Sequence, residues 1–404
     1  MTWDLPTVRR ERQVEWTLWI GVAGLMLLGA AFIFSATGAA DGAARPPLAW
    51  WQYRVMSQIV AYVLGVGAVA VLCLVDYSRL ARWSLVAYWV SILLLFAVTL
   101  FGVSRLGARR WLDLGMVQFQ PSELAKLTFL FAFANFLSRP QGELAAPALF
   151  AKALGMTLLP FGLILKQPDL GSALVFLPMA LAMMFVAGVP RRFLARFLGG
   201  GVFLVTLILV DVLFAPPGWR FVKLEEYQKQ RLLVYFGLNF APRDATPAER
   251  LLAKAEQENK SYNVRQALIS VGSGGLTGKG WREGTQSALG YLPRAVAHND
   301  FIFSVIAEEK GFLGSVAVLT LYGLVLFSGL RIAARARDRL GRLLAVGTVT
   351  LLFTHVFVNI GMNIRLVPVT GIPLPLLSAG GTSVLCSLIA IGILQNIHLH
   401  RRHF

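Results

Sequence analysis

Asp300 is the residue of this chain best placed to do chemistry. It stands in the stretch Gly284–Gly311, GTQSALGYLPRAVAHNDFIFSVIAEEKG, where a long polar segment ends and the sequence turns apolar to about Leu330. A carboxylate at the mouth of a membrane-type helix is costly to keep there, which makes it a functional candidate. The bland alternative is an N-cap accepting backbone N–H bonds from the helix that follows. Gln286 and His298 share the same stretch.

Three further polar clusters interrupt apolar sequence. The first holds Arg109, Arg110, Trp111 and Asp113, then Gln118-Phe119-Gln120-Pro121-Ser122-Glu123-Leu124-Ala125-Lys126. Pro121-Ser122-Glu123 reads as a helix start, and Glu123 and Lys126, three apart, share a face and can pair. The cluster is either an ion pair with an aromatic anchor at Trp111, or an anion-binding surface in which Arg109, Arg110 and Lys126 meet a phosphate group. The second cluster, Lys166-Gln167-Pro168-Asp169-Leu170-Gly171-Ser172, reads on spacing as a tight turn with a local Lys166–Asp169 pair. The third runs from Arg365 to Gly381 and includes Thr370, Gly371 and Ser378. It is too rich in Pro and Gly for a continuous helix. Such backbone is tolerated at membrane depth only when buried in protein or lining a polar cavity, which predicts a re-entrant or cavity-lining segment beside the outer face.

The elements that must position these residues are membrane helices. Of 404 residues, 56% are hydrophobic and only 15% charged, with mean hydropathy +0.63. The apolar residues come in long blocks, which defines an all-α polytopic membrane protein. Ten stretches approach the length needed to span: 15–37, 53–75, 83–103, 122–138, 150–166, 171–189, 194–215, 302–330, 342–362 and 380–399. Lys126 and Pro160 make the fourth and fifth the weakest of these.

The net charge of +17 does not point to nucleic acid, because the basic residues are scattered among loops and form no aromatic-interleaved patch. They follow the positive-inside pattern instead. With the N-terminus inside, the inner segments hold Arg9, Arg10 and Arg12, Arg79 and Arg82, Arg139, Arg191, Arg192 and Arg196, the run Arg331–Arg342, and Arg401 and Arg402. The outer ones hold fewer: Arg45, then Arg105, Arg109 and Arg110, then Lys166, then Arg365. Both termini are therefore expected in the cytoplasm, with a retained first span and no removed signal.

That topology places the polar clusters outside and makes 216–300, between helices seven and eight, one large extracytoplasmic loop within a single 1–404 membrane domain. Pro216-Pro217-Gly218-Trp219 reads as a turn leaving the bilayer. Thr246-Pro247-Ala248-Glu249 reads as a helix start, predicting a surface helix over Ala248–Ser270 that stops at Gly272. The glycines from Gly272 to Gly284 match no nucleotide-binding spacing and read as sites of close backbone packing. Glu308, about 12 Å further along the helix from Asp300, reads as a pairing residue within the bundle. Cys73 and Cys386 lie in apolar runs and read as small core residues. His298, His355, His398, His400 and His403 lack the spacing of a zinc site.

Taken in order, RRWLDLG…FQPSELAK, KQPDLGSAL, SVGSGGLTGKGWREGTQ, HNDFIFSVIAEEKGFLG and PVTGIPLPLLSAGGTS resemble the SEDS family (shape, elongation, division and sporulation) over about residues 15–400. The form Val367-Pro368-Val369-Thr370-Gly371 is similar to the elongation branch, since division-type members usually carry a lysine just before that glycine. The resemblance implies a peptidoglycan glycosyltransferase of the bacterial cytoplasmic membrane that polymerises lipid II on its outer face during elongation. It implies a class B penicillin-binding protein as partner, with other elongation-complex proteins and membrane lipid. The family's essential acid falls on Asp300. Two departures stand out: Leu292–Asn299 is two residues longer than the usual L-P-E-x-H-T, with Arg294 for Glu and Asn299 for Thr, and Gly290 stands where many members carry a Glu.

The expected chemistry is one inverting displacement: a sugar hydroxyl attacks an α-linked lipid diphosphate donor and the product is β. Asp300 would act as base or hold a divalent cation, magnesium or manganese, with no organic cofactor. Arg109, Arg110, Lys126, Lys166 and Arg365 are candidates to neutralise the diphosphate, and Trp111 to stack on a sugar. Glu123, Asp169, Gln286, His298 and Ser378 complete the candidate substrate-binding set. A lipid II flippase would also use a polar cavity and broken helices. A non-catalytic scaffold for the transpeptidase is the third reading.

Overall fold

The structure, a computed structural model, describes residues 14–38, 54–105, 108–113, 118–214, 226–238, 240, 246–292 and 294–401. Arg9, Arg10, Arg12, Arg45, the Pro216–Trp219 turn, Arg402 and His403 lie outside the described residues.

The chain begins α1 (Trp16–Gly38), α2 (Arg54–Leu74), the short α3 (Tyr77–Arg82) and α4 (Ser84–Phe101). Strands β1 (Val103–Arg105), β2 (Ala108–Asp113) and β3 (Gln118–Phe119) follow, then α5 (Pro121–Leu137), α6 (Gln141–Leu144), α7 (Pro147–Lys166), α8 (Leu170–Leu174), α9 (Phe176–Ala187) and α10 (Arg191–Phe214). The long polar segment holds α11 (Glu226–Phe236), α12 (Pro247–Ser273), α13 (Thr285–Ala288) and α14 (Arg294–Ala297). Three long helices close the chain: α15 (Ile302–Ala334), α16 (Arg339–Asn363) and α17 (Gly381–Leu399).

Each of the ten apolar stretches is helical. Among the described residues nine helices are long and apolar enough to cross a bilayer. The remaining one, α5, has 17 residues and carries Glu123 and Lys126, which leaves it at the lower limit of spanning length. The sixth stretch is α8 plus α9, interrupted at Val175. Pro178 explains the break, because its ring excludes the carbonyl four residues back.

Of those nine spans, α16 and α17 are the most enclosed and α10 the least. Helix α17 packs on α2, α1 on α15, and α16 on α9 and α5. Helices apolar on every face are what a core surrounded by lipid requires. Just before α1, Glu15 pairs with Arg331 of α15 (3.3 Å) and His398 of α17 (3.5 Å). The start of α1 and the ends of α15 and α17 therefore share one face of the bundle.

The fold is all-α as expected, with one local addition: between α4 and α5 the short strands β1–β2–β3 pair antiparallel, with Val103 opposite Trp111 and Leu112 opposite Phe119. This loop satisfies its own backbone by strand pairing where no helix continues. The surface helix α12 starts at Pro247 as expected but runs past Gly272 to Ser273. Helix α11 was not anticipated, and it packs against α12.

Candidate active site

Asp300 lies in the turn between α14 and α15, and three consecutive carbonyls pin that turn. The His298 carbonyl accepts from the Ala379 amide (2.9 Å), and the Asn299 carbonyl from Ser378 Oγ (2.5 Å). The Asp300 carbonyl accepts from Asn359 Nδ2 (3.0 Å) and Asn363 Nδ2 (3.1 Å). Irregular backbone must find such partners when buried. Ser378 also accepts from the Leu374 amide (2.8 Å), so one hydroxyl holds both strands of the crossing.

The segment 370–380 is the re-entrant element that its Pro and Gly content predicted. Tyr62 of α2 donates to the Leu376 carbonyl and Tyr322 of α15 to the Pro375 carbonyl, both at 2.5 Å. Gln58 Nε2 donates to the Ser378 carbonyl (3.2 Å). Tyr322 lies well inside α15, so the segment descends between helices and buries its carbonyls against side-chain donors.

Two other clusters converge on Asp300. A Cβ at Gly171 would stand 3.0 Å from the Thr370 carbonyl, so the Lys166–Ser172 turn packs directly on the re-entrant segment. Asp169 caps α8 by accepting from the Ser172 amide (3.1 Å), and accepts from Gln120 Nε2 (3.2 Å). Arg110 reaches the same turn: Nε donates to the Gln167 carbonyl (3.3 Å), another nitrogen donates to the Pro168 carbonyl, and Nη1 lies 3.8 Å from Asp169. The expected Lys166–Asp169 pair is therefore replaced by Arg110–Asp169, while Lys166 is exposed at the end of α7.

Burial pushes the Asp300 carboxyl up from 3.8 to about 6, while Arg231 and Arg110 pull it down and Asp169 pushes it up. Arg231 on α11 donates to the Val369 carbonyl (3.2 Å) and was not found from sequence. Nothing local marks it, since it lies 69 positions from Asp300. Asn359 and Asn363 were missed too, although two amides four apart in an apolar span carry a signal.

Other candidates lie elsewhere. Lys126 does not face an open surface: it pairs with Glu123 (2.7 Å), meets His355 Nε2 (2.9 Å) and is buried in a narrow cavity also lined by Pro375 and Cys386. His355 is one turn along α16 from Asn359, about 6 Å further from Asp300's end. Arg365, at φ 61°, donates to the Val234 carbonyl (3.0 Å) and joins α11 to the re-entrant segment. Trp111 is half-buried on β2, and the Arg109 side chain lies outside what is described.

Gln286 belongs to a neighbouring feature. Helix α15 is broken at Gly311 (φ 63°, ψ −156°), where a continuous span was expected. The glycine-rich segment repairs the break: Lys279 and Gly280 amides donate to the Glu308 and Glu309 carbonyls (3.0 and 3.1 Å), and Phe312 and Leu313 amides to the Gly275 and Leu276 carbonyls (2.8 and 3.1 Å). A Cβ at Gly278 would collide with the Glu309 carbonyl, which fits the close-packing role read from these glycines. Glu308 is paired from this loop, not from the bundle. It accepts from Lys279 Nζ (2.7 Å), Thr285 Oγ1 (3.1 Å) and the Gln286 amide (2.9 Å).

Among the described residues no three His, Cys, Asp or Glu side chains converge to hold a metal ion. Near Asp300 the second carboxylate, Asp169, already accepts from Gln120 and a backbone amide and faces Arg110.

A polytopic helical bundle with a polar site gathered at one end from four separated motifs defines an integral membrane protein of the SEDS type. The chain belongs to the FtsW/RodA/SpoVE family of cell cycle proteins, whose profile matches residues 15–403. It is 36% identical over 388 residues to the peptidoglycan glycosyltransferase MrdB of Escherichia coli K12, covering 96% of this chain and 94% of that protein. It is 31% identical to the peptidoglycan glycosyltransferase RodA of Treponema pallidum, covering 97% and 99%. Among solved structures, it matches the rod shape determining protein RodA of Thermus thermophilus (TM-score 0.66, 31% identity, covering 97% and 98%). It also matches a chain of a peptidoglycan synthase complex that coordinates polymerization and crosslinking (TM-score 0.74, 30% identity, covering 95% and 97%).

Proposed function

We infer that this chain is a peptidoglycan glycosyltransferase that polymerises lipid II at the outer face of the bacterial cytoplasmic membrane during cell elongation. Its partner is a class B penicillin-binding protein transpeptidase. The observation that carries the reading is the placement of Asp300 at the head of α15, held by Asn359, Asn363 and Ser378 against the re-entrant segment, where Arg231 and Arg110 act on its charge and burial raises the carboxyl to about 6. A carboxyl near 6 is still ionised at neutral pH and is a stronger base than an ordinary aspartate. The named activities of MrdB and RodA supply the reaction. The same-face meeting of Glu15 and His398 supports both termini in the cytoplasm, with Asp300 on the far side.

In the reaction, the acceptor 4-hydroxyl oxygen forms a bond to the donor anomeric carbon as the bond from that carbon to the lipid diphosphate breaks. Asp300 takes the hydroxyl proton, and the electron pair leaves with the diphosphate. Arg110 and Arg231 provide positive charge where that leaving group develops negative charge. A divalent cation, magnesium or manganese, would serve the same end. Among the described residues the carboxylates do not form a protein cage for one.

The test is lipid II polymerisation by the purified chain with its transpeptidase, comparing wild type with Asp300→Ala and Asp300→Asn. Both variants are expected to express, bind the partner and make no glycan strands. Normal strands from either would sink the assignment. A wild type that moves lipid II across vesicles without making strands would replace it with the flippase reading.

A further inference from the structure

The turn that carries Asp300 secures only its amide. Its amide donates to the Val296 carbonyl (3.0 Å), and its carbonyl depends wholly on other elements. The two amides that meet that carbonyl, Asn359 and Asn363, are four apart on α16, lie on one face and are fully buried. An amide placed in the middle of a packed bundle is costly unless its hydrogen bonds are made, so two on one acceptor need a reason.

The rest of the network gives the pair its geometry. Asn359 Nδ2 also donates to the Ile372 carbonyl (2.8 Å), and Asn363 Nδ2 to the Asn359 carbonyl (2.8 Å). Carbonyls only accept, so each terminal NH2 must face Asp300. Ser304, on the first turn of α15, donates to Asn363 Oδ1 (2.5 Å) and fixes the far side of that amide. Ile372 follows Gly371, the residue against which the Asp300 carboxylate rests. A single Asn359 amide therefore ties together the backbone that carries the carboxylate and the backbone that walls it.

We propose that Asn359 and Asn363 are positioning residues for the glycosyl transfer: they fix Asp300 against the 370–372 segment by holding its main-chain carbonyl. This rests on the reading of Asp300 as the base. Displacement of a reacting group by about 1 Å can lower a rate about 100-fold, which is the scale at stake.

The experiment measures kcat and KM for lipid II polymerisation by the full chain with its transpeptidase, for Asn359→Leu, Asn363→Leu, the amide-retaining Asn359→Gln and Asn363→Gln, and Asp300→Asn. Leucine matches the shape of asparagine and removes the donors. The leucine variants are expected to lose kcat on the order of 10–100-fold with KM within about twofold, and the glutamine variants to recover part of the loss. Wild-type kcat in the leucine variants, or a loss that only tracks the folded fraction, would overturn the proposal. If the leucine variants do not fold, Ser304→Ala decides by the same split: a smaller fall in kcat at unchanged KM supports the proposal and an unchanged kcat removes it. An inactive Asp300→Asn beside fully active asparagine variants would remove the positioning role alone. An active Asp300→Asn would remove the reading of Asp300 and, with it, this proposal.

Discussion

Gly371 lies beside the carboxylate of Asp300: a Cβ at Gly371 would stand 3.6 Å from Asp300 Oδ2, an ordinary contact. The glycine is also at φ 75°, a conformation that costs a side-chain-bearing residue about 1–2 kcal/mol. Gly371→Ala should therefore lower the melting temperature modestly and depress polymerisation more than that loss explains, because the strain acts on the segment beside the base. Thermal unfolding and initial rates on one preparation would show it. Equal activity per folded molecule would mean that the backbone conformation of Gly371 does not act on Asp300.

The raised carboxyl of Asp300 predicts two pH effects of definite sign. As a base it must be ionised, so the polymerisation rate should fall on the acid side with a midpoint near about 6. Charged groups acting on it are Arg231 from α11, Arg110 from β2 and Asp169 before α8. For folding, the native state binds more protons than the unfolded chain between about 4 and 6, so the residue lowers stability progressively as pH rises through that window. Asp300→Asn should stabilise the protein at neutral pH, on the order of 1–3 kcal/mol, and lose the advantage near pH 4. A rate that stays flat to pH 5 would argue against Asp300 as the base.

Glu123 and Lys126 are only 4% and 2% exposed and 2.7 Å apart. Removing one partner leaves the other charge buried, so Lys126→Met alone should destabilise by about 3–5 kcal/mol. The pair Glu123→Gln with Lys126→Met should recover most of that, since apolar or neutral replacement of a buried pair is often near neutral. Thermal unfolding of the single and double variants would decide. A double variant as unstable as the single one would mean that the contact with His355 carries the stability instead.

Much of the site was legible because its residues sit in unusual places for a membrane chain. Asp300 at a helix mouth, Arg110 between spans and the Pro- and Gly-rich 365–381 segment each break an apolar pattern, and the structure brings the turn of Asp300 against that segment. The ion pair of Glu123 and Lys126 followed from their three-residue spacing. Lys166 misled for the same reason: spacing within a turn proposes a local partner for Asp169, and the real partner, Arg110, comes from 59 positions away.

The sequence by itself determined where the apolar helices lie, because length and hydropathy suffice for an element that must satisfy its own backbone in lipid. Only the tertiary structure decided what surrounds Asp300. Arg231, Asn359, Asn363 and Ser378 reach it through hydrogen bonds and charge across distant segments, and no local period encodes those meetings. The break at Gly311 belongs with them. A glycine in an apolar run looks like any other in sequence, and it becomes a break only when the loop of Gly274–Gly280 supplies the bonds that the helix gives up.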